Sequence, residues 1–419
     1  MAHTARKKDE KKEFFDPPDV LEKKVEQLAQ WIRESKHMIA FTGAGISTAA
    51  GIPDFRSGMD TKLSTGPGVW ELKAKGVATR DTKHKVTVAV KALPTPTHMM
   101  IVKLQQEGIL KCCISQNTDG LHRRSGLPRE ALAELHGNTN LEVCKKCGRE
   151  YLRDFRVRNA KRVKDHRTGR KCDNPNCQGI LRDTIINFGE DLPDSELTRG
   201  TEEGEVADLC LAMGSSLTVT PAADIPECVA ERGEKLVIVN LQKTPLHSMA
   251  ALCIHAKCEE VSTMVMEKLG LPIPEFRLKR RVFIKVTQST KGPSEEQVSL
   301  SIEGQDMYGF YFSFLTGVTV SVGERPQQLQ EPFFIRFPWR ASAGASSDEM
   351  KAQLTFHFQG HYGEPPLDKE LIIKKGVKDM QLKLLLIYNP ETREWSVEDD
   401  VAAAVVPTAS IKKLTLKDK

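Results

Sequence analysis

Four cysteines in the middle of the chain form the clearest chemical pattern. Two residues separate Cys144 from Cys147, and four separate Cys172 from Cys177. Close pairs of thiols chelate a metal ion, and four thiolates suit tetrahedral zinc. Because cysteine would fill every ligand position, none is left for water or substrate, and the spacing predicts one structural zinc ion. A redox-active cysteine pair is the alternative, although neither pair opens a helix that follows a strand.

A glycine-rich segment has the composition of a phosphate-binding turn. It reads Phe41-Thr-Gly-Ala-Gly-Ile-Ser47 and ends an apolar run. Gly43 and Gly45 would let the backbone approach a phosphate, and a helix beginning near Ser47 would direct free N–H groups at it. As a dinucleotide fingerprint the segment is incomplete, since Thr48 replaces the third glycine and no acid closes a second strand. A tight turn without a ligand is an equally good interpretation of this segment alone.

Short apolar runs alternating with helical patterns must position these residues. The runs that predict buried strands lie at 36–42, 109–114, 209–213 and 236–239. Helical spacing precedes and separates them, for example over 97–106. The alternation predicts an α/β fold, a doubly wound, Rossmann-like parallel sheet with helices on both faces. The polar segment at about 140–182 interrupts this rhythm and is expected to form a small module around the zinc.

Strand patterns replace the α/β alternation after Pro274. Period-two alternation is found at 298–302, 310–314, 318–322 and 354–358, and the runs 384–388 and 395–397 flank a Pro-Glu-Thr turn. We predict a separate β-rich C-terminal domain over 277–411, with a sandwich as its expected form. The other predicted divisions are a charged N-terminal extension (1–23), the α/β domain (24–276) and a charged tail (412–419).

The composition restricts the class of protein. Hydrophobic residues make up 39% and charged residues 28%, which is typical of globular proteins. No apolar run approaches the ~18 residues that span a bilayer, so no membrane partner is expected. The first residues are charged and give no pattern of a secretory signal. A reducing compartment is therefore expected, in which the ten cysteines favour metal binding over disulfides.

Segments in a fixed order resemble the signatures of the sirtuin family. The first is Gly43-Ala-Gly-Ile-Ser-Thr-Ala-Ala-Gly-Ile-Pro-Asp-Phe-Arg56. The later ones are Gln116-Asn-Thr-Asp-Gly-Leu-His122, Leu135-His-Gly137, and Gly214-Ser-Ser-Leu217 with Val239-Asn-Leu-Gln242. The resemblance covers roughly 24–276 and does not extend to the C-terminal third. It implies an NAD-dependent protein-lysine deacylase (deacetylase), which consumes NAD⁺ and releases nicotinamide and O-acyl-ADP-ribose.

The resemblance also implies roles for single residues. His136 is the expected general base, because a histidine can accept a proton near neutral pH, whereas a lone histidine would be interpreted as structural. Asn117 and Asp119 complete the expected catalytic set, and Thr118 replaces a usual Ile or Val, which predicts slightly altered nicotinamide contacts. The residues expected to contact NAD are Gly43, Ala44, Gly45, Thr48, Asp54, Phe55, Arg56, Trp70, Gln116, Asn117, Asp119, His136, Gly214, Ser215, Ser216, Asn240, Leu241, Gln242 and Cys258.

Further segments resemble class IV sirtuins, and within that class the nuclear and nucleolar branch. Examples are Gly66-Pro-Gly-Val-Trp70 and Leu121-His-Arg-Arg-Ser-Gly-Leu-Pro-Arg129. The resemblance implies a nuclear location, more finely a nucleolar one, and substrates among histones or other chromatin proteins. The segment 57–65 makes the cofactor loop longer than the class pattern, so its effect on cofactor affinity and rate is open.

Two surfaces are expected to meet partners. Phe188, Gly189 and Glu190 stand where sirtuins add an extended acyl-lysine peptide by backbone pairing, a mode that reads few side chains. Basic residues crowd the segment between the cysteine pairs, namely Arg153, Arg156, Arg158, Lys161, Arg162, Lys164, Arg167 and Arg170. They predict either a solvated face of the zinc module or an electrostatic patch for nucleosomes, DNA or RNA.

Other functions remain open at this point. The same site could serve a protein mono-ADP-ribosyltransferase, which would release nicotinamide without removing an acyl group. The chain could also be a chromatin adaptor whose β-rich domain recruits partners while catalysis is incidental. An NAD-dependent dehydrogenase is disfavoured, because the fingerprint is incomplete and Asn117, Asp119 and His136 point to chemistry at a glycosidic bond.

Overall fold

The chain is described by a computed structural model with an α/β domain, a small β module and a C-terminal pair of sheets. The described residues are 11–77, 89–160, 162–174, 176–291, 295–307, 309, 311–323, 325–339 and 348–399. The predicted tail at 412–419 and the predicted basic residue Lys161 lie outside them. None of the described helices is long and apolar enough to span a membrane.

The helices belong to the α/β domain. They are α1 (Pro18–Glu34), α2 (Val69–Ala74), α3 (Pro96–Gln106), α4 (Leu121–Arg124), α5 (Asp194–Val206), α6 (Asp224–Glu231) and α7 (Cys258–Leu269). Within the described residues, short 3₁₀ helices span Ala44–Ala50, Arg129–Ala131 and Pro245–Ser248. The domain's strands are β1 (Met38–Thr42), β2 (Leu110–Ser115), β3 (Leu132–Glu134), β8 (Leu209–Met213), β9 (Lys235–Val239) and β10 (Leu252–Ile254).

The six strands of this domain form one parallel sheet in the order β10-β9-β8-β1-β2-β3. The chain leaves the sheet after β3, at one edge, and returns at β8, which lies beside β1. The strand order therefore reverses between β1 and β8. Phe41 of β1 pairs with Ile114 on one side and Ala212 on the other. Sheets of this kind bind ligands at the carboxyl ends of the strands where the order reverses. The predicted doubly wound α/β fold is confirmed.

Alternate residues of the buried strands supply two separate cores. Met38 and Ala40 pack into the core beneath α1, α3 and α7, whereas Ile39 and Phe41 pack into the core beneath α5 and α6. Strands covered on both faces read as continuous apolar runs, which is why the sequence revealed them. Helix α1 begins at Pro18 and buries Leu21 against the first core, so it starts before residue 24, where the α/β domain was expected to begin.

The glycine turn differs from its expected form. A helix was predicted to begin near Ser47, but the segment Ala44–Ala50 is a 3₁₀ helix that begins directly after Gly43. Gly51, with φ of 81°, ends it, and its N–H donates to Ser47 and Thr48 carbonyls. A positive φ is the conformation that glycine adopts without the strain of a Cβ, and it stops the helix after two turns.

A small module is inserted between β3 and α5 of the α/β domain. Its strands are β4 (Leu141–Cys144), β5 (Glu150–Arg153), β6 (Arg167–Lys171) and β7 (Ile180–Asp183). Together with β13 (Phe312–Ser313) of the C-terminal region they form a five-stranded sheet in the order β13-β5-β4-β7-β6. The four cysteines lie in this module, as expected.

The C-terminal region forms two antiparallel sheets around one core. The remaining strands are β11 (Leu278–Lys291), β12 (Glu295–Gln305), β14 (Leu315–Val322), β15 (Arg325–Leu329), β16 (Phe333–Pro338), β17 (Glu349–Phe358), β18 (Leu367–Lys374), β19 (Asp379–Asn389) and β20 (Glu394–Asp399). The sheets have the orders β16-β12-β11-β19-β20 and β15-β14-β17-β18. Side chains of both, such as Val282 and Leu354, share a single apolar core. The predicted β-rich domain is confirmed.

One predicted strand of this domain pairs elsewhere. Within the predicted segment 310–314, Phe310 lies outside the described residues, and Phe312–Ser313 pairs in parallel with β5 of the cysteine module. The alternation still reports burial, since Phe314 is fully buried in the sandwich core. A period-two pattern identifies the buried face of a strand, but it carries no information on which neighbour receives its backbone hydrogen bonds.

Buried Arg280 of β11 joins three parts of the chain. It forms an ion pair with Asp154, just after β5, and another with Glu364 at 3.1 Å. Its guanidinium also lies over the ring of Phe314 at 5.0 Å. A charge this far from water is stable only with such partners, because removing a partner leaves an uncompensated buried charge. The interface between the cysteine module and the sandwich therefore depends on this ion-paired cluster.

Substituting the buried arginine is expected to destabilise the chain strongly. Arg280→Met would leave Asp154 and Glu364 buried without their cation, at a cost of about 3–5 kcal/mol in the free energy of unfolding. The control is Lys285→Met on the same strand, whose exposed pair with Asp379 contributes at most about 1 kcal/mol. Denaturant titration measures both variants. Equal stability of Arg280→Met and the wild type would contradict this account.

Candidate active site and metal centre

A large cavity opens at the carboxyl edge of the parallel sheet. Its volume is about 590 Å³. Residues that follow five neighbouring strands line it, for example Gly43 after β1, Gln116 after β2, His136 after β3, Gly214 after β8 and Asn240 after β9. Convergence of strand ends from both halves of the sheet at this edge is the arrangement in which open α/β sheets bind their ligands.

The structure brings almost all of the sequence-predicted site residues to this cavity. Those that line it are Gly43, Ala44, Gly45, Thr48, Asp54, Phe55, Arg56, Trp70, Gln116, Asn117, His136, Phe188, Gly189, Glu190, Gly214, Ser215, Ser216, Asn240, Leu241, Gln242 and Cys258. Their convergence follows from the fold, but their individual roles stay predictions. Cys258 is the first residue of α7, and its thiol is buried in the protein. The first turn of α7, and not the thiol, therefore faces the cavity.

Asp119 is placed differently from the other predicted residues. It is not among the residues that line the cavity. Its carboxylate accepts a hydrogen bond from the Ser47 hydroxyl at 2.7 Å and another from the N–H of Leu121 at 2.9 Å. The side chain thus ties the loop after β2 to the 3₁₀ helix and to the start of α4. In this arrangement Asp119 supports the site instead of lining it.

The glycines after β1 are required by backbone packing. A Cβ on Gly43 would lie 2.7 Å from the carbonyl oxygen of Gly214, and one on Gly45 would lie 2.6 Å from the Cα of Gly214. Distances this short exclude any side chain. From the sequence, the two glycines were expected to let a phosphate approach the backbone. In the structure, the space that a Cβ on either glycine would need is filled by the turn after β8. The two turns together form a floor of main-chain atoms.

His136 has the environment of a neutral general base. Its Nδ1 lies 3.0 Å from the carbonyl oxygen of Gln116. A carbonyl can only accept, so Nδ1 carries the hydrogen and Nε2 is left as the basic nitrogen. Burial lowers the pKa of His136 below its usual value of 6.5, and the hydrogen bond to Gln116 opposes this only in part. The imidazole is therefore uncharged at neutral pH.

Gln116 and Asn117 hold the loop after β2 across the cavity. The carbonyl oxygen of the Gln116 side chain accepts from Ser215 at 2.9 Å, while its Nε2 is buried and has no hydrogen-bond partner among the described residues. Asn117 donates to the carbonyl oxygen of Gly43 at 3.1 Å. A buried donor without a partner is costly, and a ligand acceptor in the cavity would satisfy it. This donor fits the carboxamide or hydroxyl oxygens of NAD⁺.

An aromatic and cationic cluster covers one side of the cavity. The Phe55 and Trp70 rings have centroids 5.0 Å apart, and the Trp70 and Phe188 rings 5.5 Å. Arg56 lies over Trp70 at 4.9 Å and donates to the Thr218 hydroxyl at 2.5 Å. Aromatic faces can enclose a reacting carbon, and an arginine beside a main-chain floor suits a phosphate.

The long segment 57–65 leaves the cavity edge and returns to the same point. The N–H of Gly68 donates to the carbonyl oxygen of Ser57 at 2.9 Å, and a Cβ on Gly68 would lie 2.3 Å from the nitrogen of Arg56. At its outer part, Thr61 and the N–H of Lys62 donate to the carboxylate of Glu13. Both ends of the insertion are thus held beside Arg56, and the Arg56 side chain lines the cavity.

The segment expected to bind the peptide is anchored to the cysteine module. Glu190 accepts from the N–H of Asn187 at 2.7 Å and forms a hydrogen bond with His166 at 3.0 Å. Burial opposes ionisation of Glu190, but these hydrogen bonds outweigh it and lower its pKa to about 2. Phe188 beside them is 56% exposed and lines the cavity mouth. The loop therefore presents an apolar side chain from a fixed backbone.

Several residues that line the cavity were not predicted from the sequence. They are Glu13, Ser57, Leu63, Val163, Ile185, Ile186, Asn187, Leu192, Val219, Thr220, Pro221, Ala256, Lys257 and Glu259, whereas Thr118, which was expected near the nicotinamide, also lines the cavity. Asn187 could have been found, because it adjoins the predicted peptide segment. Glu13 carries no local signal, since contacts with distant segments hold it at the cavity, among them the hydrogen bond from the N–H of Phe14 to the carbonyl oxygen of Leu241.

The four cysteines converge on one point. Their sulfur atoms all lie within 4.8 Å of one another, with 3.5 Å between Cys144 and Cys177 and 3.7 Å between Cys147 and Cys172. A tetrahedral site with zinc–sulfur bonds of ~2.3 Å has edges of about 3.8 Å, so these distances fit zinc. A donor set of four thiols is the typical structural zinc site, which leaves no open position for catalysis.

The basic segment of the module is largely neutralised by its own acids. Arg153 and Arg170 both pair with Glu142, at 2.9 and 2.8 Å. Arg158 pairs with Asp183 at 3.0 Å. A further pair at 2.9 Å joins Arg167 to Asp165. The predicted residues that are exposed and make no ion pair in the described part of the chain are Arg156, Arg162 and Lys164. The positive patch is therefore smaller than the sequence suggests, because Glu142 and Asp183 fold against it from outside the segment and Asp165 pairs with Arg167 within it.

Comparisons with known proteins assign the family. The family model described as "Sir2 family" matches residues 43–221. The NAD-dependent protein deacetylase SRT1 of Arabidopsis thaliana is 44% identical over 86% of this chain and 78% of its own length. SRT1 of Oryza sativa subsp. indica is 42% identical over 77% and 65%, and sirtuin-7 of Bos taurus is 43% identical over 63% and 64%. The chain thus spans just under two thirds of the rice and bovine relatives.

The fold and the site define a class of proteins with a ligand-sized cavity at the edge of a doubly wound sheet and a four-cysteine cluster in an adjoining module. The chain belongs to the Sir2 family. The resemblance to sirtuins seen in the motifs is thereby confirmed, and the match to sirtuin-7 fits the class IV assignment.

Loss of a cluster cysteine is expected to remove the metal and destabilise the module. Cys172→Ser should lower the zinc content from about one ion per chain to less than a tenth, because three thiolates and a hydroxyl are a poor site. Cys253→Ser is the control, since Cys253 lies outside the cluster. Elemental analysis of purified protein gives the zinc content, and thermal unfolding gives the stability. Zinc retained at full content in Cys172→Ser would refute this assignment.

Proposed function

We propose that this chain is an NAD-dependent protein-lysine deacylase that acts as a deacetylase and releases nicotinamide and O-acyl-ADP-ribose. The observation that carries the proposal is the position of neutral His136, which lines the same cavity as Gln116, Asn117 and the glycine floor. The relatives named above are all called NAD-dependent protein deacetylases, which supports the same activity.

The cofactor is assigned to the cavity by the chemistry of its walls. Bound NAD⁺ supplies an electrophilic ribose carbon and nicotinamide as the leaving group. We assign its phosphates to the main-chain floor of Gly43, Gly45 and Gly214 and to Arg56. We assign the nicotinamide end to the space beside Gln116 and Asn117, where the buried Nε2 of Gln116 can donate a hydrogen bond to an acceptor on the ligand. Asn240 and Gln242, after β9, line the remaining part of the cavity at the adenosine end.

His136 performs the proton transfer in this proposal. Its Nε2 takes a proton from a ribose hydroxyl while Nδ1 remains fixed to the Gln116 carbonyl. The fixed tautomer keeps the basic nitrogen available without reorganisation of the loop. Phe55, which is 44% exposed at the cavity edge, excludes water from the reacting carbon once ligands cover it.

The acyl-lysine peptide is proposed to dock at Phe188, Gly189 and Glu190. Backbone pairing to this fixed segment would hold an extended peptide without reading its sequence. We further propose that the substrates are histones or other chromatin proteins and that the protein is nuclear, more finely nucleolar. Exposed Arg156, Arg162 and Lys164 support at most weak electrostatic contact with nucleosomes, DNA or RNA.

We also propose that the functional divisions follow the predicted ones. The catalytic unit is 24–276 with the zinc module at about 140–182, and the β-rich domain is 277–411. Helix α1 begins at Pro18 and packs against α7 in the first core, which supports extending the proposed catalytic unit to include this helix.

Replacing the proposed base is expected to abolish turnover. His136→Ala should lower kcat by about 10²–10⁴-fold, the usual contribution of a general base. Purified protein is incubated with NAD⁺ and an acetyl-lysine histone peptide, and nicotinamide and O-acetyl-ADP-ribose are measured by mass spectrometry, with nucleosomes in a parallel sample. His247→Ala is the matched control, because His247 lies outside the residues that line the cavity.

The products distinguish the candidate functions. Both products from the wild type, lost in His136→Ala, establish the deacetylase. Nicotinamide without the acetylated product would instead indicate ADP-ribosyl transfer or another acyl group. The absence of both products in both samples would refute the enzymatic proposal and leave the adaptor function.

The rate is expected to depend on pH through His136. Since burial lowers the pKa of His136 below 6.5, more than about half of the imidazole is neutral at pH 6.5, and kcat/KM should fall by less than about twofold between pH 8 and 6.5. Further acidification protonates the base and lowers kcat/KM about tenfold per pH unit. Initial rates over this range provide the measurement. A fall centred above pH 7 would contradict a buried neutral base.

A further inference from the structure

Arg124, the last residue of α4, lies where the C-terminal domain meets the active-site loop. Its Nη2 donates to the main-chain carbonyl oxygen of Asp119 at 2.7 Å, and its Nη1 donates to the hydroxyl oxygen of Tyr362 at 2.9 Å. Tyr362 follows β17 in the C-terminal domain. One guanidinium group therefore connects the loop that carries Gln116 and Asn117 with a residue more than two hundred positions later in the chain.

Tyr362 is held in place by its own domain. Its N–H donates to the carboxylate of Glu364 at 2.8 Å, and its carbonyl oxygen accepts from the hydroxyl of Tyr388 at 3.1 Å. Glu364 is the residue that pairs with buried Arg280. The position of the Tyr362 hydroxyl is consequently set by the buried ion-paired cluster of the sandwich.

The segment between the active-site loop and α4 is closely packed, so the positions of Asp119 and Arg124 depend on each other. Gly120 has a φ of 75°, and a Cβ there would lie 2.6 Å from the Oδ1 of Asn140 in the zinc module. The chain between Asp119 and α4 is thus tightly packed, which leaves little room for the loop to shift relative to the helix. Arg124 also donates to the carbonyl oxygens of Ala89, Val90 and Ala92. The Tyr362 hydroxyl donates to the same Ala92 oxygen at 3.3 Å and closes the arrangement.

We propose that Tyr362 is a positioning residue for the active-site loop, acting through Arg124. The hydroxyl oxygen accepts from a cation, and this fixes the guanidinium whose other nitrogen holds Asp119. The C-terminal domain thereby sets how the loop presents Gln116 and Asn117 to the nicotinamide end of NAD⁺. The kinetic consequence rests on the proposed function, whereas the effect on NAD⁺ binding does not require turnover.

The test compares two single-hydroxyl deletions in the same domain. Tyr362→Phe removes the contact to Arg124. Tyr311→Phe is the matched control, because its hydroxyl contacts Glu331 and Arg153 of the zinc module and not α4. A further variant, Arg124→Lys, keeps the charge but cannot hold Tyr362 and Asp119 at once. The measurements are KM for NAD⁺ and for the acetylated peptide, inhibition by nicotinamide, NAD⁺ affinity by calorimetry, and thermal unfolding.

The expected result is a selective loss at the nicotinamide end. Tyr362→Phe and Arg124→Lys should raise the KM and Kd for NAD⁺ and the inhibition constant for nicotinamide about 3- to 10-fold, which is less than the full effect of a hydrogen bond to a charged group because the contact acts on the ligand only through the loop. The peptide KM should be unchanged. Tyr311→Phe should match the wild type in all of these constants.

The opposite outcomes overturn the proposal. Wild-type constants in Tyr362→Phe, or equal losses in both tyrosine variants that follow the loss of thermal stability, would reduce Tyr362 to a structural residue. If the wild type binds NAD⁺ but shows no turnover, the proposed function fails, and the Kd for NAD⁺ alone decides the positioning role. Absence of NAD⁺ binding in the wild type would refute both.

Discussion

The contact between the turn after β1 and the turn after β8 determines the geometry of the active site. The two strands are neighbours at the point where the strand order reverses, so their turns meet above the sheet edge. Gly43 and Gly45 face Gly214 at distances that exclude any Cβ. The floor of the cavity therefore consists of main-chain atoms, and the side chains that line the cavity come from the turns around this floor. Because this floor limits where a ligand can lie in the cavity, it also determines where the ligand lies relative to His136.

The zinc module links this site to the rest of the molecule. On one side the chain that follows β7 contacts the loop of His136, since the N–H of Ile186 donates to the carbonyl oxygen of His136 at 3.1 Å and a Cβ on Gly137 would overlap the Thr184 oxygen. On the other side β5 pairs with β13, and Asp154 meets Arg280. The module that holds the four-cysteine cluster thus forms a layer that contacts both the His136 loop and the C-terminal domain.

The sequence predicted what local patterns encode. Continuous apolar runs revealed β1, β2, β8 and β9, period-two alternation revealed the sandwich, and the motifs identified most of the residues that line the cavity. It did not reveal β11 as a strand, because buried Arg280 interrupts the apolar face of Val282 and Ile284. Neither could it find the partner of β13 or the place of Glu13, since both depend on pairing between distant segments. Asp119 was assigned to the cavity because its motif lies there, but its carboxylate turns to Ser47.

The insertion at 57–65 shows how the fold separates variation from chemistry. Its ends are held by the hydrogen bond between Gly68 and Ser57 and by the passage of Gly68 against the backbone of Arg56. Within it, Leu63 alone among the hydrophobic side chains reaches the cavity lining in the described structure. The segment meets the cavity through Ser57 and Leu63, whereas the glycine floor and His136 are provided by other turns. Because its ends are held beside Arg56, an insertion at this position can change how fast ligands enter and leave while the floor stays set by the packing of two other turns.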